Sequence, residues 1–133
     1  MKQSTMLTIA SLLSLLFLTL HITGDIMRGF EKGGVSNLMF FPTSAVWLYG
    51  TLVLAGRRSG YVITLITALL ASGVPILHMM GKGLGHQATT DGAFFFIWTT
   101  LAIGVTGLFS VILSVRGLWS LRRGHSASPA QGT

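Results

Sequence analysis

The sequence predicts an all-α integral membrane protein, folded as a bundle of four antiparallel transmembrane helices with both termini in the cytoplasm. Half of the 133 residues are hydrophobic and only 9% are charged, whereas a soluble domain carries about 25% charged residues. The mean hydropathy is +0.70. Four apolar segments each approach the ~20 residues that a helix needs to cross the hydrocarbon core of a bilayer.

The four predicted spans contain no Asp, Glu, Lys or Arg and cover residues 4–23, 38–55, 60–80 and 93–115. Helices are favoured over barrel strands because the segments are long and lack the period-two alternation of such strands. The first segment follows Lys2, as in a signal peptide, but its apolar run is long and no A-x-A-like cleavage site follows. We therefore expect this span to be retained.

The basic residues predict the orientation, because loops rich in Lys and Arg stay in the cytoplasm. Six of the nine lie beside one set of span ends, and the other three share the links 24–37 and 81–92 with all three acids. This places the links outside the cell, and we expect the bilayer to be a bacterial inner membrane. The six predicted cytoplasmic residues are Lys2, Arg57, Arg58, Arg116, Arg122 and Arg123.

Small residues predict how the helices pack, because close backbone approach replaces the hydrophobic effect in lipid. Gly50, Gly104 and Gly107 lie on stripes of small residues at helical spacing and are expected at helix contacts. Pro75 lies inside the third span and predicts a kink, since its ring removes a backbone hydrogen bond. Residues 120–133 are predicted to form a short polar cytoplasmic tail that is disordered.

The composition excludes several functional classes. The chain has no cysteine, so disulfides, thiolate metal sites and thiol catalysis are ruled out. The net charge of +6 does not indicate nucleic-acid binding, because the basic residues flank apolar segments and form no soluble basic face. No nucleophile–base pair or phosphate-binding loop is apparent, and we expect no catalytic activity.

One polar group interrupts this pattern at the end of the first span. His21 and Asp25 are four residues apart and share a helix face, which Arg28 continues. His78 ends the third span, which runs in the same direction, so it is expected at the same depth as His21. The sequence therefore predicts a polar cluster of His21, Asp25, Arg28 and His78 at the outer end of the bundle.

Three interpretations of this cluster remain open. The first is structural, with the polar residues satisfying one another in a non-catalytic subunit or accessory protein. The second is a haem or transition-metal site of a redox or metal-handling protein, because histidine and carboxylate ligands suit such metals. The third is a small proton-coupled transporter, although no carboxylate lies near the middle of any span. The candidate metal ligands are His21, Asp25, His78, Met79 and His86.

The expected partner is the lipid bilayer. Four spans make a thin bundle, so a homo-oligomer or a larger membrane complex is also expected.

Overall fold

The computed structural model describes residues 2–80 and 92–126, without the side chains of Ser36 and of residues 124–126. The regular elements within these ranges are all helices, and the ranges contain no strand. A 3-10 turn over Val35–Met39 leads into the second helix, and a π-helical turn over Tyr49–Val53 follows it. The four α-helices are α1 (Gln3–Met27), α2 (Phe40–Leu48), α3 (Arg58–Met80) and α4 (Ala93–Ser126).

Three helices, α1, α3 and α4, are long and apolar enough to cross a membrane. They cover the first, third and fourth predicted spans. The fourth helix runs past the predicted span end at residue 115 to Ser126, into the predicted tail. Leu118 and Leu121 explain the extension, because they pack against a buried cluster of Leu7, Tyr61 and Leu113. Residues 127–133 of the predicted tail lie outside the described residues.

The second predicted span, residues 38–55, differs from an uninterrupted α-helix. Only Phe40–Leu48 is α-helical, between the 3-10 turn and the π turn. The π turn contains Gly50, where a Cβ would approach the Cβ of Ile63 to 2.9 Å. It also contains Thr51, whose hydroxyl lies 2.8 Å from that of Ser11. The local change in helix type thus accompanies close packing of this segment against α1 and α3.

The direction of the helices follows from contacts at their two ends. At one end, Gln3 Nε2 donates a hydrogen bond of 2.9 Å to the carbonyl of Leu113. At the other end, the rings of His21, His78 and Phe96 contact one another. The helices α1 and α3 therefore run parallel, and α4 packs along both in the opposite direction.

The segment 35–53 connects these two ends in space. Asn37 and Phe40 line a cavity together with His21 and His78. Gly50 and Thr51 instead lie beside residues at the starts of α1 and α3. The segment therefore runs antiparallel to α1 and α3.

The polarity of the protein is inverted relative to a soluble bundle. Hydroxyl side chains are buried between the helices, while large apolar side chains on the outer faces are exposed. One buried contact joins α1 to the second segment, where the indole N–H of Trp47 donates to Ser11 Oγ at 2.7 Å. In lipid, small and hydroxyl residues hold helices together, and the apolar side chains on the outside contact the acyl chains. The buried hydroxyl residues are Ser11, Ser14, Thr51, Thr64, Thr67, Thr99, Thr100, Ser110 and Ser114.

Helix α3 remains helical through Pro75. A Cβ added at Gly104 of α4 would lie 2.7 Å from Pro75 Cγ. One turn further along, a Cβ at Gly107 would lie 2.9 Å from the backbone nitrogen of Ser72. Both glycines therefore face α3 at distances that leave no room for a side chain.

Candidate metal centre

His21 and Asp25 lie on successive turns at the end of α1. Their i, i+4 spacing places both side chains on one face, and packing leaves them only 3% and 5% exposed. The Nε2 of His21 lies 3.4 Å from Oδ2 of Asp25. The sequence spacing thus produces a close, buried imidazole–carboxylate pair.

His78 joins this pair from the end of α3. Its ring meets the ring of His21 edge to face, with centroids 5.1 Å apart. Phe96 of α4 contacts both rings, at centroid distances of 5.1 Å and 5.2 Å. Three helices therefore hold the two imidazoles in van der Waals contact.

The hydrogen bond to Thr99 fixes the tautomer of His21. The hydroxyl of Thr99 donates to backbone carbonyls of its own helix, those of Phe95 at 2.8 Å and Phe96 at 3.1 Å. Its oxygen is therefore the acceptor for Nδ1 of His21, at 3.1 Å. Since a neutral imidazole carries one N–H, Nε2 of His21 presents a lone pair.

His78 has the same arrangement. Its Nδ1 lies 2.9 Å from the carbonyl oxygen of Val74. A carbonyl only accepts, so Nδ1 of His78 carries a proton, and in the neutral imidazole Nε2 carries a lone pair. In both imidazoles Nδ1 makes the hydrogen bond that orients the ring, as one ring nitrogen does in most metal-ligating histidines.

The lone pair of His21 faces a second acceptor. Asp25 Oδ2 is 3.4 Å away, and an ionised carboxylate has no proton to offer. Among the described residues, neither Nε2 of His21 nor Oδ1 of Asp25 has a hydrogen-bond partner, although both atoms are buried. Two such acceptors repel each other unless a proton or a metal cation lies between them.

The spacing of these atoms suits a metal ion. Two ligands of a tetrahedral Zn²⁺ with bonds of about 2.0–2.1 Å lie about 3.3 Å apart. The Nε2–Oδ2 distance of 3.4 Å matches this value. One ligand atom from each of His21, Asp25 and His78 falls within 4.8 Å of the others. Two imidazoles and one carboxylate form a donor set for Zn²⁺, Cu²⁺ or Fe²⁺ that leaves coordination positions open.

Arg28 occupies a different position from the other three residues. Its Nε donates to the carbonyl of Gly24 at 2.9 Å, and Nη1 donates to that of Gly92 at 2.8 Å. Nη2 remains 3.9 Å from Asp25 Oδ1, which is too far for a hydrogen bond. The guanidinium also lies near the rings of Phe30 and Phe95. Arg28 therefore ties the end of α1 to the start of α4.

A cavity of about 330 Å³ opens onto the three candidate ligands. Glu31 and Asn37 lie on its wall with His21, Asp25 and His78. The remaining wall is apolar and comes from three segments of the chain. Its residues are Leu18, Ile22, Phe40 and Val74. The cavity gives a small ligand, or the water shell of a metal, access to the cluster.

The structure brings together His21, Asp25, Arg28 and His78 but leaves two other candidates apart. Met79 is 72% exposed and does not line the cavity. His86 lies outside the described residues.

Sequence reasoning missed two residues that shape the cluster. Thr99 orients His21, but in the sequence it is one of two adjacent threonines, Thr99 and Thr100, and nothing distinguishes it from its neighbour. Gly24 makes room for two side chains, since a Cβ there would lie 2.7 Å from Arg28 Nη2 and 2.9 Å from Phe95 Cε1. A glycine one turn before an arginine was the available signal.

Comparisons of the chain with protein-family models, with curated proteins and with solved structures find no match. The functional conclusion therefore depends on the geometry of the cluster.

Proposed function

We propose that this chain is a non-catalytic, four-span membrane protein that binds one divalent transition-metal ion through His21, Asp25 and His78. The supporting observation is the pair of oriented imidazoles. Both have Nδ1 at a hydrogen-bond acceptor, and one ligand atom from each imidazole lies within 4.8 Å of a carboxylate oxygen of the buried Asp25. This arrangement is the one that metal-binding histidines adopt through their outer hydrogen bonds.

The four-span topology is supported by the parallel course of α1 and α3. Two parallel crossings require the chain to return between them, and residues 35–53 run in that opposite direction. At about 1.5 Å per residue these 19 residues extend about 28 Å, close to the ~30 Å hydrocarbon thickness. Arg57 and Arg58 lie at the end opposite Asp25 and Glu31, which supports an outward-facing metal site.

A metal ion fits the cluster better than haem. Axial histidines bind iron from opposite faces of a porphyrin. The rings of His21 and His78 instead touch each other edge to face, and Phe96 packs against both. A porphyrin would have to separate α1 from α3.

A second candidate function is structural, as in an accessory subunit. Arg28 bonds the carbonyls of Gly24 and Gly92, and His21 bonds Thr99, so the cluster joins α1 to α4 without any metal. In that case Asp25→Ala lowers the free energy of unfolding by about 1–3 kcal/mol through unpaired buried groups, and added metal has no effect on stability.

Metal titration separates the two functions. Purified protein is stripped with a chelator, and Zn²⁺, Cu²⁺ and Fe²⁺ (the last without oxygen) are added while binding is measured by calorimetry. We expect one ion per chain and a rise in melting temperature, because a ligand that binds only the folded state stabilises it. His21→Gln, His78→Gln and Asp25→Asn should each abolish this rise.

Met79→Leu is the matched control, since this exposed side chain lies beside His78 but outside the cavity. Its metal binding should equal that of the unaltered protein. No metal binding by the unaltered protein, or full binding by Asp25→Asn, would leave the structural function as the better explanation.

A further inference from the structure

A second cavity lies at the opposite end of the helices. Its volume is about 820 Å³. It forms between the turn before α3, the first residues of α3 and the last part of α4. The residues around it are Gly56, Arg57, Arg58, Val62, Leu118, Leu121 and Arg122.

The lining of this cavity combines positive charge with apolar surface. Three arginines, Arg57, Arg58 and Arg122, come from two separate parts of the chain. Asp25 and Glu31, the two acidic residues within the described ranges, line the cavity at the other end, so no Asp or Glu side chain of these ranges lines this one. Leu118 and Leu121 provide apolar surface that continues into the packed core.

The neighbouring residues indicate that this end lies at the depth of lipid headgroups. Trp119 is 58% exposed, and the guanidinium carbon of Arg123 lies 4.7 Å from the centre of its ring. Tryptophan and arginine are enriched at membrane–water interfaces. At this depth, guanidinium groups can bind the phosphate of a phospholipid, and the apolar side chains beside them can contact its acyl chains.

We propose that this cavity binds the headgroup of an anionic phospholipid, with Arg57, Arg58 and Arg122 contacting the phosphate. Val62, Leu118 and Leu121 contact the first carbons of the acyl chains. The bound lipid bridges the start of α3 and the end of α4, which otherwise meet around Tyr61. This site is independent of the metal centre, which lies at the far end of the bundle.

Native mass spectrometry of the full chain in detergent tests the proposal. The protein is titrated with phosphatidylglycerol, with phosphatidylcholine of the same acyl chains, and with inorganic phosphate. We expect the anionic lipid to bind at least about tenfold more tightly than the zwitterionic lipid, because each arginine adds attraction to the anion. The triple variant R57Q/R58Q/R122Q should lose this preference.

Arg116→Gln is the control, because Arg116 belongs to the same end of α4 but does not line the cavity. It should keep the preference for the anionic lipid. Equal binding of both lipids by the unaltered protein overturns the proposal. This test does not depend on whether the variants fold. An equal loss in Arg116→Gln, or displacement of the lipid by millimolar inorganic phosphate, overturns it as well. Melting temperatures of all variants in the same detergent establish that they are folded.

Discussion

The hydroxyl of Thr99 determines which nitrogen of His21 faces Asp25. It accepts from Nδ1 at 3.1 Å while its own proton is used by carbonyls within α4. The free Nε2 is thereby directed at the carboxylate. A residue on α4 that does not line the cavity thus orients the imidazole of a pair on α1.

Thr99→Val should weaken metal binding without removing a ligand. Valine keeps the shape of threonine but cannot accept the N–H of His21, and loss of such outer partners costs about 10–100-fold in metal affinity. Competition with a chelator of known affinity measures the change. Thr100→Val is the control, since the Thr100 hydroxyl donates to the carbonyl of Phe96 within its own helix. Equal affinities for the two variants would contradict the role of Thr99.

Ser11→Ala should destabilise the attachment of residues 35–53 to α1. Ser11 Oγ accepts from the indole of Trp47 at 2.7 Å and lies 2.8 Å from the hydroxyl of Thr51. Removing it leaves two buried polar groups short of a partner, which costs about 1–3 kcal/mol in the free energy of unfolding. Unfolding in a denaturing detergent measures this loss. Ser120→Ala, at an exposed position whose hydroxyl donates to the carbonyl of Gly117 in its own helix, should change stability by less than about 0.5 kcal/mol.

Gly117→Ala should be destabilising although alanine favours helices. A Cβ at this position would overlap the ring of Tyr61, and overpacking typically costs about 1–3 kcal/mol. Gly73→Ala provides the contrast, because no atom lies within 4 Å of its added Cβ. That variant should be neutral or gain up to about 1 kcal/mol from helix propensity. Thermal melts of the two variants in one detergent give the comparison, and equal melting temperatures would refute the contact.

Single cysteines should report the orientation directly, because the chain has none of its own. The two variants are Lys32→Cys and Arg57→Cys. Lys32 follows α1, at the end that holds the His21–Asp25 pair, and Arg57 lies in the turn before α3 at the opposite end; both native side chains are exposed. In intact cells, a membrane-impermeant maleimide should label position 32 but not 57. Label at both positions, or only at 57, would reject the predicted topology.

The sequence predicted the three long apolar helices. Length and hydropathy identify α1, α3 and α4, since lipid constrains both properties in any spanning helix. The spacing of His21 and Asp25 likewise predicted their contact, because i, i+4 neighbours meet on any helix. These features depend on local periodicity alone.

Contacts between segments that are distant in the sequence could not be predicted from the spacing of residues along the chain. The π turn at Tyr49–Val53 and the contact of Gly117 with Tyr61 arise from how helices fit together. Thr99 could not be assigned to His21, because the angular position of α4 against α1 decides which of its hydroxyls reaches the imidazole. Side-chain pairs between helices require the packing to be known.

The inverted polarity of the bundle has a consequence for how such a chain diverges in evolution. Positions that face lipid accept any apolar residue of suitable size, so leucine, isoleucine, valine and phenylalanine can replace one another there with little selection. The buried hydroxyls and tight glycines, such as Ser11, Ser110 and Gly107, permit few exchanges. Distant relatives should therefore be recognisable by the spacing of their smallest residues, while their most abundant residues carry almost no record of common ancestry.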